Sequence, residues 1–204
     1  MVFNQSKKYA FPPEFKLEGN ELLTVRSELK ILGIMVQNDL KWESQVKQMV
    51  DKATKKIWLL RRMKQLKVDE RTITNYWKAE GRVHLEASAA LWAGGITVGQ
   101  ARQIQRVQRR AVAAITGGSR EEYAASCLRL GLEPDLSVRR LRLCRNFATR
   151  TATKSRHQDL FSRVERHHNT RGGGKEWVEP ACRTRRHQMS ARPHLTRLLN
   201  GANN

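Results

Sequence analysis

Between residues 41 and 64 an apolar side chain returns every three or four positions: Trp42, Val46, Met49, Ala53, Ile57 and Leu60. That spacing follows the turn of an α-helix and gathers the six onto one stripe. Lys41, Lys52, Lys55 and Arg62 fall on a polar side. A helix of this length with one apolar stripe has to bury it against other elements, so the chain is constrained towards a helical bundle. Asp39 is the expected N-cap of this helix. Further stripes downstream supply packing partners. Ile73, Tyr76 and Trp77 follow Asp69, another N-cap residue. Gly81 should weaken that second helix by roughly 1 kcal/mol relative to Ala. The chain then runs from Val83 to Trp92 and stops at Gly94-Gly95. Ile104, Val107, Ala111 and Ile115 follow Thr97 and end at Gly117-Gly118, a common helix stop. Two more helices are expected, over Glu121 to Leu130 and from Asp135 or Ser137 to about Arg150.

The two ends read differently. Phe15 to Leu17 and Glu21 to Val25 alternate around Gly19-Asn20, a hairpin signal. Leu29 to Val36 is a mostly apolar run rich in β-branched residues, which reads as a buried strand. Beyond Arg150 large apolar residues thin out and Arg and His cluster, so a loose tail is expected, with a short helix near Leu195 to Leu199. The expected fold is mainly α: a small N-terminal β-hairpin or strand remnant, a helical bundle and a loosely ordered basic tail. The boundaries fall at residues 1–36, 37–150 and 151–204.

Charge narrows the partner. The formal net charge is +20 in 204 residues, which attracts polyanions. The first hundred residues hold most of the Lys, whereas after residue 100 nearly every cation is Arg. Arg forks onto phosphate and stacks on bases, so a nucleic-acid surface is expected. Arg102, Arg106 and Arg109 stand at i, i+4 and i+7, opposite the apolar stripe of their helix. Three Cys (Cys127, Cys144, Cys182) exclude a disulfide scaffold and suit a reducing, intracellular location, nucleus or cytoplasm. The longest uncharged run, Ala87 to Ala101, is too short and too polar for a membrane span. The first fifteen residues lack the apolar core of a signal peptide.

An ordered set of short motifs then becomes informative. Leu32-Gly33-Ile34 is followed by Asp39-Leu40-Lys41-Trp42, Lys52-Ala53 and Leu59-Leu60-Arg61-Arg62-Met63. Tyr76-Trp77-Lys78, Arg82-Val83-His84-Leu85-Glu86 and Ala89-Ala90-Leu91-Trp92 come next. Val107-Gln108-Arg109-Arg110-Ala111, Ile115-Thr116-Gly117, Leu130-Gly131-Leu132 and Arg139-Arg140 complete the set. In order and spacing this resembles the C-terminal part of reverse transcriptases from non-LTR, LINE-type retrotransposons, over about residues 1–150. The resemblance implies that Met1-Val2-Phe3 ends a palm strand and that Leu32, Gly33 and Ile34 form a primer-grip hairpin. The helices that follow would be a thumb, packed on a primer–template duplex. By the same resemblance Lys52, Lys55, Arg61 and Arg62 lie near phosphates, with Arg102, Arg106, Arg109 and Arg110 as further candidates. The implied partners are RNA, DNA or an RNA–DNA hybrid, and the palm of a full-length reverse transcriptase in trans.

The chain departs from such polymerases at one decisive place. Their chemistry needs a carboxylate cluster for two Mg²⁺ ions, and no Asp-Asp pair occurs here. No catalytic residue, cofactor or polymerase activity is therefore expected of this chain, which reads as truncated, with residual sequence-tolerant nucleic-acid binding. The alternative is a helical interaction module, or a relic reading frame that self-associates.

Other clusters carry less. Cys182, His187, His167-His168 and His194 lack the paired ligand spacing of zinc modules. Gly172-Gly173-Gly174-Lys175 lacks the phosphate-loop pattern. Asp69-Glu70 and Glu121-Glu122 read as acids at helix starts. His84 beside Glu86 has no nucleophile to serve. Trp42, Trp58, Trp77 and Trp92 are expected in the core, which leaves Trp177 as the one candidate for base stacking.

Overall fold

The computed structural model describes residues 14–16, 22–24, 26–118, 122–153, 159–164 and 176–201. The chain is mostly helical, with two small antiparallel hairpins ahead of the helices. The first pairs β1 (Glu14–Lys16) with β2 (Leu22–Thr24), Phe15 opposite Leu23. The expected Gly19-Asn20 turn, like Met1-Val2-Phe3, lies outside the described residues.

The second hairpin corrects the single buried strand expected at Leu29 to Val36. Here β3 (Glu28–Ile31) folds back on β4 (Ile34–Gln37), with Ile31 opposite Ile34. The two-residue turn is Leu32-Gly33, with φ of 47° and 88°. Two positive φ values in succession match the twist of paired strands, although Leu adopts them at a cost. β3 is exposed throughout and β4 is half-buried.

The long helix α1 spans Glu43–Gln65 and buries Val46, Met49, Ala53, Ile57 and Leu60, five of the six residues of the expected stripe; Trp42 stands just before the helix at φ 64°, half-buried against the core. Its start is not capped by Asp39. The Asp39 carboxylate accepts the Lys41 amide at 3.1 Å and pairs with the Lys41 ammonium at 3.0 Å, within the preceding turn. Instead Gln37 Oε1 accepts the Ser44 amide at 3.1 Å, and Gln45 Oε1 accepts the Met35 amide at 2.8 Å. These side-chain bonds tie the second hairpin to the first turn of α1.

α2 (Glu70–Tyr76) is capped by Asp69, whose Oδ1 accepts the Thr72 amide at 2.9 Å. No break occurs at Gly81. The helix widens into a π-helical stretch, Trp77–Arg82, and continues as α3 (Val83–Glu86). Trp77 is fully buried, and its ring lies across Gly81, where no side chain stands in the way. The break comes at Ser88, whose φ is 54°, before α4 (Ala89–Trp92). α5 (Val98–Thr116) opens on a reciprocal capping box between Thr97 and Gln100 and closes on Gly117 at φ 73°. Gln100 Nε2 donates to Lys41 O at 3.0 Å, which brings the N-terminal ends of α1 and α5 together. α6 (Tyr123–Arg129) and α7 (Leu136–Thr153) follow, with Cys127 and Cys144 buried.

The loose tail is corrected for the described residues beyond 153. Phe161, Trp177, Leu195 and Leu199 are buried in the same core as the bundle. α8 is Arg185–Gln188, and α9, Ala191–Gly201, is longer than the expected helix and packs on α7 and α4. Four buried residues suffice, while Leu160, Val164 and Val178 stay exposed. Asn200 bonds Trp177 twice, accepting its amide at 2.9 Å and donating to its carbonyl at 3.0 Å.

This docking predicts a pH dependence. Burial, and then the nearby Arg197, lower the His194 pKa. The folded state thus resists a proton that the unfolded chain accepts near pH 6.5. Stability is full above that pH and falls as the pH drops towards the lowered value. The melting temperature should fall between pH 7.5 and 5.5, and His194→Gln should remove part of that fall.

Candidate nucleic-acid interface

Some of the cations are consumed by structure. Arg82, Arg139 and Arg142 surround Glu86 and Glu133: Arg139 Nε lies 2.6 Å from Glu86 Oε1, and Arg142 Nη1 lies 3.0 Å from Glu133 Oε1. Arg82 reaches both acids, at 3.1 Å and 3.6 Å, its Nε standing outside hydrogen-bond alignment. Burial opposes the charge on Glu133. Its backbone amide and Arg139, Arg142 and Arg82 outweigh that and hold its carboxyl below the usual range. Lys56 pairs with Glu80, and Lys64 and Arg129 share Glu70.

The eight cations that the sequence singles out are not consumed in this way, and they share this with exposed Arg71, Arg145 and Arg150. Lys52, Lys55, Arg61 and Arg62 are exposed on α1, and Arg102, Arg106, Arg109 and Arg110 are exposed on α5. None of these eight forms an ion pair among the described residues. Arg62 only donates to Gln65 Oε1 at 3.3 Å, one turn on. Arg109 lies over the Tyr123 ring, 5.2 Å from its centroid, which fixes the guanidinium without neutralising it. Lys55 and Arg62 lie two helical turns apart on one side of α1, about 10 Å along its axis. The stripe of Arg102, Arg106 and Arg109 on α5 has the same length. His84 borders the α1 stripe. Burial first, then Lys52 and Lys56, lower its pKa against the opposing pull of Glu80.

The structure does not bring the primer-grip-like turn to this stripe. Leu32, Gly33 and Ile34 sit at the tip of the second hairpin, which is bonded to Ser44 and Gln45 at the start of α1. Arg62 lies seventeen residues beyond Gln45, about 25 Å along the helix. The hairpin instead walls an open, largely apolar groove of about 980 Å³ with Leu91, Val98 and Met189.

The structure reverses the expected placement of two tryptophans. Trp177 is buried, edge-on to Phe161, with Arg163 over its ring. It is not free to stack on a base. Trp58, expected in the core, is 70% exposed on α1. The signal was present: Ile57 occupies the apolar stripe, and the next residue points about 100° away from it.

The chain matches no family model, no curated protein and no solved structure. The chemistry of the surface is therefore read from its own residues. Among the described residues no cluster of His, Cys, Asp and Glu could hold a metal ion. Cys182 donates to Pro180 O at 3.2 Å, while His167 and His168 lie outside the described residues. Among the described residues no helix is long and apolar enough to cross a membrane.

Proposed function

We propose that this chain binds nucleic acid through the unpaired cations of α1 and α5, in a sequence-tolerant manner, as a module like a reverse-transcriptase thumb. One observation carries the reading. The eight cations on these two faces are exposed, stand in helical rows and have no ionic partner among the described residues, whereas Lys56, Lys64, Arg82, Arg129, Arg139 and Arg142 are tied to carboxylates. Charges left in water in two helical rows offer a polyanion counterion release at little desolvation cost. Such contacts position a phosphate backbone and carry no sequence code. A thumb-like role on a primer–template-type duplex agrees with the motif order from Leu32 to Arg140.

The test is a salt series on a labelled RNA–DNA hybrid, duplex DNA and matched single strands. Log affinity should fall linearly with log salt, and substituting Lys55, Arg61 and Arg62 by Gln should reduce the slope by about 3. Equal binding to heparin with an unchanged slope would reject these residues as the interface.

A second reading, self-association as a helical interaction module, has one observation behind it. Ile31 and the tip residue Leu32 are exposed beside the apolar groove. A sedimentation coefficient that rises with protein concentration and reverts on Leu32→Asp would favour it.

A further inference from the structure

We propose that Trp58 is a base-stacking residue, so that α1 binds an unpaired nucleotide strand more tightly than a blunt duplex of equal charge. The inference rests on the nucleic-acid reading above and deepens it. Trp58 is one of the most exposed large apolar side chains of the described fold and projects from the middle of its longest helix. It packs on no other ring among the described residues. Its neighbours on the helix surface are Lys55 at i−3, Arg61 at i+3 and Arg62 at i+4, all exposed and none in an ion pair among the described residues. An indole thus stands between cations set about one turn to either side, 4.5–6 Å along the axis.

That pattern selects its occupant. A second copy of this face would oppose cation to cation. A purely apolar partner would strip Lys55, Arg61 and Arg62 of water without replacing it. A nucleotide strand offers phosphates to the cations and a flat π-face to the indole in one ligand, and every base has such a face. In a continuous duplex both faces of each base are already stacked, so only an unpaired nucleotide or a strand end can use Trp58.

The experiment compares the wild-type chain with Trp58→Ala, Trp58→Phe and the Lys55, Arg61 and Arg62 to Gln triple variant. The probes are a short uridine-rich RNA and a blunt RNA duplex of the same length, each over a salt series. Trp58→Ala should weaken single-strand binding about tenfold or more and leave duplex binding within about twofold. The salt slope should not change, and Trp58→Phe should restore most of the loss. The triple variant should lose affinity for both probes and lower the slope. Trp58→Ala melting with the wild type confirms that the loss is not one of folding, and quenching of the Trp58 emission, taken as wild type minus Trp58→Phe, reports stacking directly. Salt-dependent wild-type binding that Trp58→Ala leaves untouched, or equal losses on both probes, overturns the stacking role while the phosphate interface stands. Absence of salt-dependent binding by the wild type overturns both. Loss of self-association in Trp58→Ala with nucleic-acid binding intact makes the face a protein contact and overturns the proposal.

Discussion

Gly81→Ala should destabilise the protein by about 2 kcal/mol or more, although helix propensity alone favours Ala over Gly by about 1 kcal/mol. The sign reverses because of one close approach. A Cβ at position 81 would lie 2.0 Å from Cε3 and 2.1 Å from Cζ3 of Trp77. Trp77 is fully buried, so its ring has no solvent to retreat into and must push on a core that is already filled. The π-helical stretch from Trp77 to Arg82 is where the ring and the backbone of the next turn share one space. Equilibrium denaturation of the single variants and of Trp77→Leu with Gly81→Ala closes the cycle. The smaller side chain should accept the new methyl, so the double variant should lose less than the two singles added. A stabilised or unchanged Gly81→Ala would show that the ring is not held there.

The stripes on α1 and α5 could be read from the sequence because helical spacing is local. Val46, Met49, Ala53, Ile57 and Leu60 name their own face, and Thr97 caps the helix it precedes. The exposure of the eight candidate cations follows from the same geometry. What escaped was decided by distant parts of the chain. Leu32 hides a hairpin turn because a bulky residue sits where Asn or Gly would announce it. Asp39 has the chemistry of a cap, but its carboxylate is engaged by Lys41, and Gln37 of the hairpin does the capping. Leu195, Leu199 and Trp177 are too sparse to predict a docked segment: the two Leu lie on α9, which packs on α7 and α4, and Trp177 is held by Phe161 and Asn200. Trp58 differs for another reason: it follows Ile57 by one residue and so turns away from the apolar stripe, and on a helix the angle decides.

Glu86→Gln should cost about 3–5 kcal/mol, which measures how far this basic fold depends on the half-buried acids that face buried Arg82. Glu86 accepts from Arg139 Nε at 2.6 Å and faces Arg82 Nε at 3.1 Å, with Arg82 itself only 8% exposed. Gln preserves the shape and removes the charge. Two guanidiniums would then share the remaining carboxylate, Glu133, which already serves Arg142 as well. The cost arises from leaving Arg82 buried without compensation, not from a large intrinsic worth of the pair. A second variant separates these two accounts. Arg82→Met combined with Glu86→Leu removes both charges and fills their volume, so it should be far more stable than Glu86→Gln alone. Denaturant midpoints of the three proteins decide between them. If the double variant is no better than the single one, the acids matter for joining α3 to α7 by geometry, and charge balance is not what they supply. If the double variant recovers stability, the segregation of cations has a physical basis. Arg82 and Arg139, taken into the fold, are matched by Glu86 and Glu133, while the cations left on α1 and α5 remain in water and open to phosphate.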